Sequence, residues 1–309
     1  MDNVIEIKNL VKVYKSGAVR AVDDVTFNIG QGELFAFLGV NGAGKTTTIN
    51  VLCTLVAKTS GEVKVCGFEL GREDNEIRKS IGVVFQQSIL DNELSAMNNL
   101  YIRGGFYKLS KTEIEKRVTG LIKKLGMQEF IDRPYGKLSG GQRRKTDIAR
   151  ALIGHPKILF LDEPTTGLDP QSRIDLWDTI EQIRKDYKTT IFLTTHYMEE
   201  VDGADRVAII DSGKILCIDT PQKLKSKYST DEVRFIAKSG SGTDVEKLLK
   251  KGKYEYELAV DAYVVKLKRA VEIIADLAEF KPYLESFEVK KGNMDSVFLN
   301  VVGRSLVNE

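Results

Sequence analysis

No long apolar run occurs anywhere in this sequence. The longest is five residues, Leu34 to Leu38, against about 20 for a bilayer-spanning helix, so no helical membrane span is expected. Cysteine is scarce as well. Cys53, Cys66 and Cys217 are three in number, far apart and without a CxxC pair, which disfavours a disulfide framework or a cysteine zinc site and fits reduced packing thiols. An excess of one charge is also missing. Lys plus Arg total 46 and Asp plus Glu 44, for a net charge of +2, so no bulk field draws in nucleic acid, and no nucleic-acid partner is expected. No internal repeat is evident, so each motif below occurs once. Met1-Asp2-Asn3-Val4 lacks the basic stretch and apolar core of a secretory leader, and a cytosolic location is expected.

What remains is ordinary globular material. The 309 residues, 42% hydrophobic and 29% charged, exclude disordered and fibrous classes and suffice for about two domains. Val4 to Ile29 shows the alternation of short strands, as in Val11-Lys12-Val13-Tyr14 and Val25 to Ile29. Leu34 to Leu38 reads as a buried strand. From about residue 95 to 153 the texture turns helical, with Ile114, Val118, Leu121, Ile122 and Leu125 at helical intervals. Buried strands resume at Ile158 to Leu161, Thr190 to Thr194 and Val207 to Ile210, with a helix over Arg173 to Lys185. Strands alternating with helices predict a mostly parallel α/β sheet. The polar passage Lys225 to Thr230 reads as a linker, which predicts one domain over 1–225 and a second, after the linker, within 226–309. Beyond it the order strand (Val233 to Ala237), helix (Thr243 to Lys251), strand pair (Tyr254 to Val260, Ala262 to Lys268), helix (Ala270 to Phe280), strand (Tyr283 to Val289) is a βαββαβ, or ferredoxin-like, pattern. A closing helix is expected to be capped near Asn293, with Met294, Val297, Phe298, Val301 and Val302 on one face.

Three segments carry chemistry. Gly39-Val40-Asn41-Gly42-Ala43-Gly44-Lys45-Thr46 fits GxxxxGK[ST] between a buried strand and an apolar helix, the context a P-loop requires. Its glycines let backbone amides close around phosphates, Lys45 reaches the β- and γ-phosphates of a nucleotide, and the Thr46 hydroxyl ligates Mg²⁺. Asp162 and Glu163 follow the strand Ile158 to Leu161, at the end where open α/β sheets bind ligands. Asp162 is the candidate Mg²⁺ carboxylate, and Glu163 the candidate that orients or deprotonates an attacking water. Leu138-Ser139-Gly140-Gly141-Gln142 heads a third apolar helix, so Ser139 and the amides of Gly140 and Gly141 form a second anion site.

With that pentapeptide the sequence resembles the ATP-binding-cassette (ABC) ATPases, over about residues 4 to 225. Walker A lies at Gly39 to Thr46, Walker B at Ile158 to Glu163, the signature at Leu138 to Gln142 and the D-loop at Gly167-Leu168-Asp169. Gln86 matches the Q-loop glutamine and His196 the switch histidine. No position departs from the pattern. The resemblance implies a P-loop NTPase core with an N-terminal antiparallel β part and a helical subdomain, hydrolysing ATP with Mg²⁺. It implies catalytic roles for Lys45, Gln86, Glu163 and His196, and Mg²⁺ held by Thr46, Gln86 and Asp162. Nucleotide contacts are implied for Gly39, Asn41, Gly42, Ala43, Gly44, Thr47, Ser139, Gly140, Gly141, Gln142 and Asp169, and for Tyr14 as the adenine-stacking aromatic. A single cassette per chain implies a head-to-tail homodimer in which one subunit's signature closes over ATP held by the other's P-loop.

The branch rests on weaker signals. Met294 to Leu299, Thr194 to Glu200 and the Gly39-Val40-Asn41 form of the P-loop are similar to the antibiotic, multidrug and lipid exporters. That similarity implies a peripheral subunit that drives a separate transmembrane permease, with Gln86 coupling to it. An importer shares the same hydrolytic motifs and stays open. Soluble ABC ATPases of ribosomes or DNA generally carry two cassettes or a long arm, whereas Lys45 and Asp162 are only 162 − 45 = 117 residues apart. His155 reads as a loop residue, and Arg143-Arg144-Lys145 as a solvated face.

Overall fold

A short, largely apolar run is satisfied in the middle of a sheet covered on both faces. Leu34–Leu38, Ile158–Asp162 and Thr190–Thr195 are buried at every position. In the computed structural model, which describes residues 3–14 and 19–307 and the side chains to residue 303, they are neighbours in a six-stranded sheet. Its order is Lys214–Asp219, Arg206–Asp211, Leu34–Leu38, Thr190–Thr195, Ile158–Asp162, Ile81–Val84. All pairings are parallel except that of the first, edge strand. Of these five parallel strands, the last four, Leu34–Leu38 to Ile81–Val84, therefore end side by side, about 4.8 Å apart.

A second, antiparallel sheet holds Asn3–Val13, Arg20–Gly30, Ser60–Val65 and Phe68–Glu69. Its inner face shares one core with the parallel sheet. Phe27 stacks on Phe35 at 5.2 Å, and Phe192 meets Phe35, Phe37 and Phe160 at 5.5 to 5.8 Å. The helical stretch comprises Ala96–Gly105, Lys111–Lys124 and Gly140–Leu152. The first two start on a serine whose hydroxyl accepts the amide three residues on, Ser95 from Asn98 and Ser110 from Glu113.

The chain divides into two compact units, Met1–Asp219 and Thr220–Glu309. The expected linker is corrected here. Thr220 accepts from the Lys223 amide and Pro221 occupies the first turn, so Pro221–Tyr228 is a helix and takes in Lys225 to Tyr228. This helix packs against Met294–Val307 within the second unit, where Leu224, Met294, Val297, Phe298 and Val301 are buried. The unit's sheet runs Tyr256–Leu258, Tyr263–Leu267, Asp231–Ala237, Leu284–Lys290, with every pairing antiparallel. The helix Gly242–Lys251 makes the first crossover. The second, expected as one helix from Ala270 to Phe280, is broken into the 3-10 turn Ala270–Ile273, the short helix Leu277–Phe280 and a turn carrying Pro282. Phe280 still reaches the core, stacking on Phe235 at 4.8 Å.

Candidate active site

The P-loop geometry begins with what a side chain would strike. Gly44 sits at φ 105°, and a Cβ there would lie 2.3 Å from the Ala21 carbonyl oxygen; at Gly39 it would lie 2.5 Å from that of Ile210. Only glycine fits either place. The loop is buttressed from outside by a hairpin turn, where the Gly213 amide donates to Ala43 O at 3.0 Å and Gly213 O accepts from the Asp23 amide at 2.9 Å. Lys45, 4% exposed, bends back to donate to Gly39 O at 2.8 Å and Val40 O at 3.0 Å.

The four adjacent strand ends deliver the other groups. Glu163, directly after Ile158–Asp162, is the hub. Its Oε1 lies 3.2 Å from Lys45 Nζ. Its Oε2 accepts from Gln86 Nε2 at 3.2 Å and from the Thr166 hydroxyl at 3.4 Å. His196 Nδ1 lies 3.3 Å from the same oxygen, without the alignment of a hydrogen bond. Asp162 Oδ1 accepts the Thr194 hydroxyl at 2.6 Å and the Thr46 hydroxyl at 3.3 Å. Burial pushes the Asp162 carboxyl up, and the hydroxyls of Thr194 and Thr46 hold it down.

A hollow of about 350 Å³ opens onto Ala21, Asn41, Gly42, Gly44, Lys45, Thr46, Thr47, Gln86 and Glu163. Tyr14 follows the last residue of its strand rather than lying within it, half-open to solvent, with its hydroxyl 3.5 Å from Thr47 Oγ1. The signature residues and Asp169 do not line this hollow. Ser139 and Gln142 satisfy one another in a capping box, Ser139 Oγ accepting from the Gln142 amide at 3.3 Å and Gln142 Oε1 from the Ser139 amide at 3.1 Å. Gly140 and Gly141 lie close enough to Leu168 and Ser172 that a Cβ would stand 3.0 Å from each. Asp169 caps the helix Pro170–Tyr187 through Ser172, whose hydroxyl and amide hold its carboxyl below the usual range.

Three features escaped the sequence reading. Thr194 is fully buried, and its Oγ1 also accepts the Glu163 amide at 3.1 Å. Thr165 and Thr195 both donate to the buried carboxylate of Glu200, which ties the loop after His196 to the one after Glu163. The expected solvated face is corrected: Arg143 donates to Leu138 O and Gly136 O, and Arg144, buried, to Phe85 O and Gln86 O. The available signal was spacing, since Ile148 follows Arg144 by four residues and so shares its side of the helix.

A cation site for Mg²⁺ fits the donors present. Thr46 and Asp162 offer hard oxygens 3.3 Å apart, a partial shell suited to an ion that keeps waters and phosphate oxygens. Among the described residues, no group of three His, Cys, Asp or Glu side chains forms a complete protein cage.

A family profile described as ABC transporter matches residues 22–166. A daunorubicin/doxorubicin resistance ATP-binding protein of Streptomyces peucetius is 35% identical, covering 97% of this chain and 92% of its own. This chain belongs to the ABC ATPase family. A linearmycin resistance ATP-binding protein of Bacillus subtilis is 33% identical over 98% of this chain and 99% of its own. Among solved structures, the cbiO1 subunit of a Clostridium perfringens ABC transporter complex superposes with a TM-score of 0.68 at 30% identity, over 74% of this chain and 92% of its own. A dimeric cassette in a post-hydrolysis state, bound to ADP and phosphate, gives 0.64 at 29% identity, over 70% and 98%. The ABC ATPase thus has the expected P-loop core. Among the described residues, no helix is long and apolar enough to cross a membrane.

Proposed function

We propose that this ABC ATPase powers export of a drug-like, antibiotic or lipid-like molecule through a separate membrane permease, on whose inner face it sits. The observation that carries the hydrolytic part is the position of Glu163, whose carboxylate meets Lys45, Gln86 and His196 where adjacent strands end. Lys45 and the P-loop amides bind the phosphates, and Thr46, Asp162 and Gln86 would hold Mg²⁺, which would supply positive charge to offset that of the phosphates. Glu163 orients the attacking water and takes its proton, while Gln86 fixes the carboxylate and, with His196, faces the γ-phosphate. Tyr14 stacks on the adenine beside Thr47. The export reading draws on two relatives named as resistance ATP-binding proteins that align over nearly the whole chain.

Neither the signature residues nor Asp169 line their own chain's hollow, which supports a head-to-tail dimer completing each site with the other subunit's signature and Asp169. A groove of about 270 Å³ beside the Gln86 loop, with Leu55 and Phe106 on its exposed rim, is the proposed seat of the permease. The test is assembly. Glu163→Gln protein with Mg²⁺ and ATP should move from monomer to dimer on sedimentation, and the wild type with ADP should not. A Glu163→Gln chain that binds ATP yet stays monomeric at all concentrations would remove the shared-site reading.

A further inference from the structure

We infer that Asp147, acting through Ser88, is a positioning residue for Gln86. The inference rests on the reading that Gln86 serves hydrolysis. Arg144, Asp147 and Arg150 are spaced i, i+3, i+6 on the helix Gly140–Leu152, and all three are buried. Such spacing puts them on one face. That face grips a single stretch of chain, from the strand Ile81–Val84 into the loop beyond it. Arg150 donates to Val83 O, Arg144 to Phe85 O at 2.7 Å and to Gln86 O at 3.2 Å, and Asp147 Oδ1 accepts the Ser88 hydroxyl at 2.6 Å. The second Asp147 oxygen accepts Tyr135 OH at 3.1 Å. Ser88 Oγ in turn accepts the Leu90 amide at 3.2 Å, which closes the turn behind Gln86.

A buried carboxylate is costly unless its oxygens are satisfied. Here both are, and two arginines flank it, so a purely stabilising role would account for Asp147 alone. It does not account for the partner. Ser88 is exposed, and a fold needs no buried carboxylate to hold a surface serine. What the Ser88 bond does is fix the backbone two residues after Gln86, while Arg144 fixes the Gln86 carbonyl itself. Between them the Gln86 side chain leaves the backbone aimed at Glu163 Oε2, 3.2 Å away. The same helix begins at Ser139, so the glutamine at one site and the signature offered to another share one rigid support.

The test uses the full chain, Mg²⁺-ATP turnover and thermal unfolding, with Ser88→Ala, Ser88→Thr, Asp147→Asn and Gln86→Ala. Ser88→Ala should unfold like the wild type, lower kcat about fivefold to tenfold and leave KM within about twofold, the split of a group acting on the reacting geometry rather than on binding. Ser88→Thr should recover most of the rate. Asp147→Asn should behave as Ser88→Ala does, and if it fails to fold, Ser88→Ala carries the test alone. Because the effect runs through Gln86, adding Ser88→Ala to Gln86→Ala should change kcat by less than about twofold. A Ser88→Ala rate equal to the wild type, or a full additive loss in the Gln86→Ala background, overturns the positioning role while the Gln86 assignment stands. An unchanged kcat for Gln86→Ala itself overturns the site reading, and the inference with it.

Discussion

Lys45 Nζ lies 3.2 Å from Glu163 Oε1, and both side chains are more than nine-tenths buried. The lysine also holds two P-loop carbonyls, so it is positioned by the loop and not by the carboxylate alone. Removing either partner has different consequences. Glu163→Gln keeps the shape and leaves Lys45 its carbonyls, so ATP binding should persist while hydrolysis falls about 10²-fold or more, the scale of a lost general base. Lys45→Ala strips the charge proposed to meet the phosphates and strands a buried carboxylate, so binding itself should weaken at least about tenfold. Nucleotide titration and phosphate release on the two variants check this split. Glu163→Gln turning over near the wild-type rate would remove Glu163 from its role.

Gly44 leaves no room for a methyl group. With φ at 105° and a Cβ 2.3 Å from Ala21 O, Gly44→Ala combines backbone strain of about 1–3 kcal/mol with a clash against main chain. We expect a lower melting temperature together with lost nucleotide binding, whereas alanine at the open, solvent-facing Gly105 should change neither. Equal melting curves for the two variants would mean the loop relaxes freely.

Thr194 holds both carboxylate residues with one hydroxyl, donating to Asp162 Oδ1 and accepting the Glu163 amide. Glu163 sits at φ 46°, a conformation costly for a non-glycine residue. Thr194→Val keeps the volume and loses the hydroxyl. We expect it to fold, to need more Mg²⁺ for half-maximal turnover, and to lose kcat by about threefold or more, with Thr194→Ser near wild type. An unaltered Mg²⁺ titration in Thr194→Val would place the support of Asp162 elsewhere.

The unit boundary makes a prediction about truncation. Pro221–Tyr228 buries Leu224 within the second unit, so a chain ending at Asp219 should be more soluble than one ending at Thr230, which leaves that helix without its partner. Thermal melts and light scattering on the two truncations decide it. A more stable chain ending at Thr230 would assign the helix to the first unit.

The P-loop and the strand-end carboxylates of the candidate site were legible because the proposed ligand would impose their residue types. A P-loop needs Gly39, Gly44 and Lys45 in a fixed order, and the proposed cation site needs a carboxylate at a strand end, as Asp162 is, so those segments announce themselves. The buried strands were equally plain, since uninterrupted apolar runs have one place to go. Side chains that serve other protein groups leave no such mark. Thr194, Glu200 and Asp147 are ordinary residues whose partners lie 32, 35 and 59 positions away. The Lys225 to Thr230 passage misled because its polarity outweighed the cap at Thr220, although Thr-Pro is a helix start. The break between Ala270 and Phe280 was hidden because 3-10 and α turns bury the same spaced apolar residues.

Ser139 shows why its residue type matters beyond the helix it begins. Asp and Asn cap a helix as well as serine does, so the bond it accepts from the Gln142 amide does not by itself select a hydroxyl. That bond uses a lone pair and leaves the hydroxyl hydrogen free to donate. A carboxylate would hold the helix end equally firmly and repel any phosphate brought to it, whereas serine anchors its own chain with one side of a single oxygen and leaves the other able to meet the anion proposed for it.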